Sequence, residues 1–202
     1  SPNDVGILVS YIACAVGGYA PCPVPSNLNQ ETINRTLEIL RPTLTVEGPP
    51  GVDFQIAQPA ADAIGFGVAD DDPFTIVFSS GTTGEPKGIC HSFEALLSSA
   101  QAFARLARMD ADTRMYHCLP MFYNAGILNT VLAPMVVGGQ IIVGPMFSRF
   151  SAFSFWRPIL LANANMMVIT PTVASSLCRA TRDFDTAKAA LAKMLGVHST
   201  SG

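Results

Sequence analysis

Ten consecutive positions, 79–88, read Ser-Ser-Gly-Thr-Thr-Gly-Glu-Pro-Lys-Gly and hold four hydroxyls, three glycines and one lysine. Glycine lets a backbone turn sharply and bring its N–H groups against a ligand. Successive N–H groups and hydroxyls then form a concave donor surface suited to phosphate oxygens, and Lys87 adds a point charge at its edge. Each charge-assisted hydrogen bond of this kind is worth about 1.5–3 kcal/mol, so three or four could hold a triphosphate against water. The pattern is not the Walker loop G-x-x-x-x-G-K-(S/T). Counted from Gly81, the second glycine of that loop falls on Pro86 and its metal-binding hydroxyl on Gly88.

A buried strand must present this loop. Residues 74–78 (FTIVF) form a β-prone apolar run that leads directly into it. After the loop, Ser92 caps a helix on which Phe93, Leu96, Leu97, Ala100, Phe103 and Ala104 follow helical spacing. Upstream, residues 5–16 read as a buried helix stopped by Gly17-Gly18, and the alternate prolines 21, 23 and 25 make the next stretch extended. Asn29 caps a second helix that ends before Pro42, 43–46 reads as a short strand, and 47–73 as a linker. Downstream, strands are expected at 115–119, 140–143 and 166–170. Helices are expected at 124–137 (stopped by Gly138-Gly139), 152–161, 172–180 and 186–195. Strands alternating with helices predict an α/β fold: a largely parallel sheet with helices on both faces. The organisation expected is a first βα segment with its linker over 1–72 and a phosphate-loop subdomain over 73–202.

Composition narrows the function classes. Of 202 residues, 49% are apolar and only 13% charged, as for the interior of something larger, and exposed apolar surface would favour self-association. The apolar stretch 5–16 is too short for the ~20 residues that span a bilayer, and no basic segment precedes it to make a signal peptide. No transmembrane segment is therefore expected. A net charge of −3 without a Lys/Arg block argues against nucleic acid. Five cysteines without a C-x-x-C pair read as small core residues in a reducing, cytoplasmic setting. His91, His117 and His198 lack ligand spacing, so no metal site is expected from these side chains. Met166, Met167, Ile169 and Leu177 read as core rather than as the wall of a ligand tunnel.

The loop resembles the signature of the adenylate-forming superfamily of acyl-CoA synthetases, luciferases and peptide-synthetase adenylation domains. It matches the pattern (S/T)-S-G-(S/T)-T-G-x-P-K-G at every fixed position. Gly17-Gly18-Tyr19-Ala20-Pro21-Cys22-Pro23-Val24 is similar to an earlier G-G-x-x-x-P-v motif of that family. Leu119-Pro120-Met121-Phe122-Tyr123-Asn124-Ala125-Gly126 resembles its l-P-x-f-H-x-x-G segment beside the acyl pocket, and residues 137–143 resemble the strand entry that follows.

The resemblance implies that a carboxylate attacks the α-phosphate of ATP, and that a thiol, on CoA or on a carrier protein's phosphopantetheine, then takes the acyl group. It implies that Ser79, Ser80, Gly81, Thr82, Thr83, Gly84 and Lys87 hold the ATP phosphates, Thr83 also helping to hold Mg²⁺. It places Tyr123, Asn124, Ala125 and Gly126 at the acyl pocket, with Tyr123 where many relatives have His. The family's Y-G-x-T-E segment, ribose-binding Asp and late catalytic lysine have no counterpart here, so no catalytic residue is assigned. The expectation is a part of the large N-terminal domain, without the C-terminal domain and inactive alone. An amino-acid-activating domain, or a non-catalytic module retaining the loop, are the alternatives.

Overall fold

The computed structural model describes residues 3–25, 28–43, 71–79 and 87–200. The chain divides into two compact units, Asn3–Leu96 and Leu97–Gly202.

In the first unit, α1 (Val5–Val16) starts at Asp4, whose carboxylate accepts from the Gly6 N–H, and stops at Gly17 and Gly18, the latter at φ 73°. The helix is as expected, but its burial is not. Val5, Val9, Ile12 and Val16 are each at least half exposed, and Tyr11 is its buried residue. α2 (Gln30–Leu40) is capped by Asn29, which accepts from the Thr32 N–H. Thr43 lies in a bend rather than in the expected strand, whose other residues fall outside those described.

The strand expected at 74–78 is β1 (Pro73–Ser79), which pairs antiparallel with β2 (Lys87–Ser92). Phe74 and Thr75 are buried, while Ile76, Val77 and Phe78 are half-buried. β2 went unread in the sequence because Lys87 and Gly88 were assigned to the loop. Pro73, placed in the linker, is the first residue of β1, a strand position that proline tolerates.

A buried chain of hydrogen bonds fixes β1. The Thr75 hydroxyl donates to the Pro21 carbonyl at 2.8 Å, so its oxygen is left to accept from the Tyr11 hydroxyl at 3.3 Å. The Pro21 carbonyl also accepts from the Ile76 N–H at 3.1 Å, which binds the extended prolyl segment to the strand. Burial pushes the Tyr11 phenol well above its ordinary range and keeps it a donor.

The second unit holds a four-stranded parallel sheet of β3 (Arg114–His117), β4 (Gln140–Val143), β5 (Met166–Ile169) and β6 (Gly196–Ser199), in spatial order β4-β3-β5-β6. Successive residues along its central strands pack on opposite faces. Met115, Leu119, Met166 and Val168 pack on one face with Ala100 and Ala104 of α3 (Phe93–Leu106) and with Ala133. Tyr116, Cys118, Met167 and Ile169 pack on the other with Phe155, Ile159, Val173, Leu177 and Ala190. Those residues belong to or adjoin α6 (Trp156–Leu161), α7 (Pro171–Ala180) and α8 (Phe184–Leu191).

This arrangement follows from right-handed crossovers. The connection from β3 to β4 runs in one direction across the sheet. Those from β4 to β5 and from β5 to β6 run in the other, so their helices must cover the opposite face. Met166, Met167, Ile169 and Leu177 are buried, as core residues should be. Among the cysteines only Cys118 is buried; Cys14 and Cys22 are half-buried and Cys90 and Cys178 exposed, which corrects the reading of all five as core. The helix expected at 186–195 is α8, which ends at Leu191 and begins earlier than expected, because Asp183 caps it through the Thr186 N–H; β6 follows as a strand the sequence reading lacked.

The helix expected at 124–137 is interrupted. It consists of α4 (Asn124–Ile127), a π-turn (Leu128–Leu132) and α5 (Ala133–Val136), ended by Gly138 at φ 75°. Pro134 supplies the cause. It offers no N–H to the preceding turn and its ring crowds the carbonyl four residues back, so the helix widens just before it.

Candidate functional site

Two segments carry the residues singled out above, one in each unit. In the first, β1 and β2 bring Ser79 and Lys87 into register as a paired couple, so residues 80–86 join two strand ends that face each other. Lys87 is exposed. Gly88 lies opposite Phe78, and a Cβ there would sit 3.3 Å from the Phe78 ring and 3.4 Å from Ile76, tighter than ordinary packing. Glycine at 88 therefore lets Phe78 lie across the hairpin. Ser80, Gly81, Thr82, Thr83 and Gly84, with the magnesium role assigned to Thr83, lie outside the described residues. Among the described residues no group of three His, Cys, Asp or Glu could hold a metal ion.

In the second unit the carboxyl end of β3 leads through 118–123 into α4. The chain leaves β3 toward β4 and leaves β5 toward β6, so β3 and β5 flank a topological switch point. In open α/β sheets, ligands bind outside the carboxyl ends of the strands at such a point. The amino ends are occupied by structural bonds instead. The Arg114 guanidinium donates to the carbonyls of Asn163 and Ala162 and to Gln140, and Asn165 accepts from the Arg114 N–H at 2.7 Å.

Residues 123–126 follow the carboxyl end of β3 in the chain, and their backbone is tightly specified. The Tyr123 N–H donates to the Pro120 carbonyl at 3.2 Å, and the Tyr123 carbonyl accepts from Gly126 and Ile127. Tyr123 is extended, at φ −108° and ψ 139°, and 43% exposed, so it is not the core aromatic that its type alone would suggest. Asn124 and Ala125 are half-buried. Gly126 is buried, and a Cβ there would collide with the Pro120 carbonyl, a backbone atom that cannot swing aside. Residues 119–126 contain no carboxylate.

His117, the last residue of β3, is fully buried. Its Nδ1 lies 2.5 Å from the Thr130 hydroxyl, which itself donates to the Gly126 carbonyl at 2.5 Å. A hydroxyl has one proton, so Thr130 must accept from His117, which fixes the neutral tautomer with its proton on Nδ1. Burial lowers the imidazole to about 4, with the Leu119 backbone acting the other way to a smaller extent. Sequence reasoning weighed His117 only as a metal ligand and did not reach Thr130. Pro134 inside an otherwise helical segment was the available sign of a wide turn, but nothing in the spacing pointed from Thr130 to His117.

The AMP-binding enzyme family model matches residues 1–200. The chain belongs to the AMP-binding enzyme family. It is similar to the mitochondrial malonate–CoA ligase of Bos taurus, 24% identical over 202 aligned residues that cover 87% of this chain and 34% of the relative. It is also similar to nonribosomal peptide synthetase 4 of Gibberella zeae, 34% identical over 97 residues, 48% of this chain and 1% of that protein. The structure superposes on a malonyl-CoA ligase ternary product complex with methylmalonyl-CoA and AMP bound, with a TM-score of 0.77 at 26% identity, covering 97% of this chain and 44% of that one. The chain thus spans less than half the length of the ligases it resembles. No helix among the described residues is long and apolar enough to cross a membrane.

Proposed function

We propose that the protein carrying this chain activates a carboxylic acid with ATP, forming an acyl-adenylate and pyrophosphate, and passes the acyl group to the thiol of CoA. The observation that carries the reading is the hydroxyl-, glycine- and lysine-bearing sequence 79–88, whose Ser79 and Lys87 pair across β1 and β2, in a member of the AMP-binding enzyme family. A carboxylate oxygen attacks the α-phosphorus and the bond to the pyrophosphate oxygen breaks. Lys87 and the loop hydroxyls neutralise the charge that builds on the leaving pyrophosphate, which is positioning and electrostatic stabilisation rather than proton transfer. Residues 123–126 line the acid.

The acid should carry no α-ammonium. Residues 119–126 offer no carboxylate, and a buried ammonium without a counter-charge would cost several kcal/mol or be forced to lose its proton. A screen by acid-dependent ATP–pyrophosphate exchange, run on the intact protein with fatty, aryl, dicarboxylic and α-amino acids, tests this. Exchange is expected with one of the first three classes and at background with α-amino acids. Preferential exchange with an α-amino acid would assign the protein instead to the amino-acid-activating enzymes, toward which the peptide-synthetase relative points.

A further inference from the structure

We infer that His117 and Thr130 are positioning residues for the acid-binding segment 123–126, acting through the buried hydrogen-bond chain from His117 Nδ1 through the Thr130 hydroxyl to the Gly126 carbonyl. The inference rests on the reading of 123–126 as the acid-binding segment. Three features support it. Thr130 sits in the π-turn, a distortion that is frequent at functional sites and that depends here on Pro134. Both bonds are buried, and the Thr130 hydroxyl uses its only proton on Gly126, so the chain has one polarity and one geometry. Finally, the loop it closes leaves the carboxyl end of β3 and returns at α4, and Gly126 is the residue that its missing Cβ lets approach Pro120. A shift in Gly126 would therefore be carried to the Tyr123 carbonyl, its hydrogen-bond partner, and to the segment as a whole.

Positioning and plain structural support give different kinetics. Displacing a substrate-holding segment by about 1 Å can cost up to about 100-fold in rate without touching the reacting groups. The experiment measures KM for the acid, KM for ATP, kcat and the thermal midpoint of the intact protein and four variants. Thr130→Val keeps the shape and removes the hydroxyl, whereas Thr130→Ser keeps the hydroxyl. An asparagine amide at 117 can reproduce the Nδ1 donor, whereas a glutamine amide reaches the Nε2 position, so His117→Asn and His117→Gln separate the two ring nitrogens. Thr130→Val and His117→Gln are expected to raise KM for the acid about tenfold or more with KM for ATP unchanged. Thr130→Ser and His117→Asn should stay within about twofold of the wild type, the spread expected where the hydrogen bond is kept.

If Thr130→Val does not fold, the His117 pair decides. An unchanged KM for the acid in folded Thr130→Val, or equal losses in His117→Asn and His117→Gln, overturns the inference. A wild-type protein without acid-dependent exchange would instead overturn the ligase reading and this inference with it, and that result is seen before any variant is made.

Discussion

Replacing Lys87 with alanine should lower kcat/KM for ATP by about 10- to 150-fold, the kinetic equivalent of one charge-assisted hydrogen bond to the leaving pyrophosphate. The expectation is clean because Lys87 is exposed and its backbone, not its side chain, pairs with Ser79. Exposed substitutions away from special features cost within about 0.5 kcal/mol of stability, so the loss would be one of chemistry rather than of fold. Thr83→Ala should lower the same parameter by a smaller factor, since a neutral hydroxyl makes the weaker bond. Lys87→Arg keeps the charge but broadens it over a planar fork, and an intermediate rate is expected. Pyrophosphate exchange at varied ATP measures all three. Unchanged kcat/KM in both alanine variants would remove the phosphate-binding role from the loop.

Acid should destabilise the fold through His117 before most carboxylates titrate. In the unfolded chain the imidazole takes up its proton near its ordinary value of 6.5, whereas in the folded chain burial holds it neutral down to about 4. Between those limits the unfolded state binds more protons, so stability falls as the pH falls; above the upper limit both states are neutral and the dependence vanishes. A window of that width is worth roughly 3 kcal/mol, a large share of the 5–15 kcal/mol that folded domains possess. Asp183, held below the usual carboxylate range by Thr186, loses its stabilising charge at lower pH and does so in any His117 variant alike. Urea unfolding from pH 7 to pH 4 should therefore show a falling midpoint in the wild type and a flatter profile in His117→Asn. The same slope in both proteins would show that His117 is not held neutral by the fold.

Much of this was legible in the residues because it rests on local rules. Asn29 and Ser92 cap helices through side chains that any N-terminus needs, and Gly18 and Gly138 end helices at positive φ. The parallel strands β4 and β5 announced themselves as short β-prone runs between helices. What failed depended on tertiary context. β2 has no apolar alternation, and its strand character comes from pairing with β1. β6 is too short and mixed to declare itself without β5 beside it. The stripe on α1 reads as buried from composition, yet Val5, Val9, Ile12 and Val16 stay at least half exposed, because burial depends on what packs against a helix and not on its own residues.

The site shows the same division. Lys87 and residues 123–126 were found because a signature and a resemblance marked them. His117 and Thr130 escaped because a hydrogen bond between a strand end and the middle of a π-turn leaves no period in the sequence. Gly126 stood in the matched segment, but the reason for it, a carbonyl pressed against the place of its Cβ, exists only in the folded chain.

The central claim is that a carboxylate oxygen attacks the α-phosphorus of ATP. Its most direct test is to supply the intact protein with ATP, CoA and an acid labelled with oxygen-18 in its carboxylate, and to locate the label by mass spectrometry after turnover. Attack at the α-phosphorus followed by thiol transfer should leave one labelled oxygen in AMP and none in pyrophosphate. Label in inorganic phosphate with formation of ADP, or AMP free of label, would contradict the account.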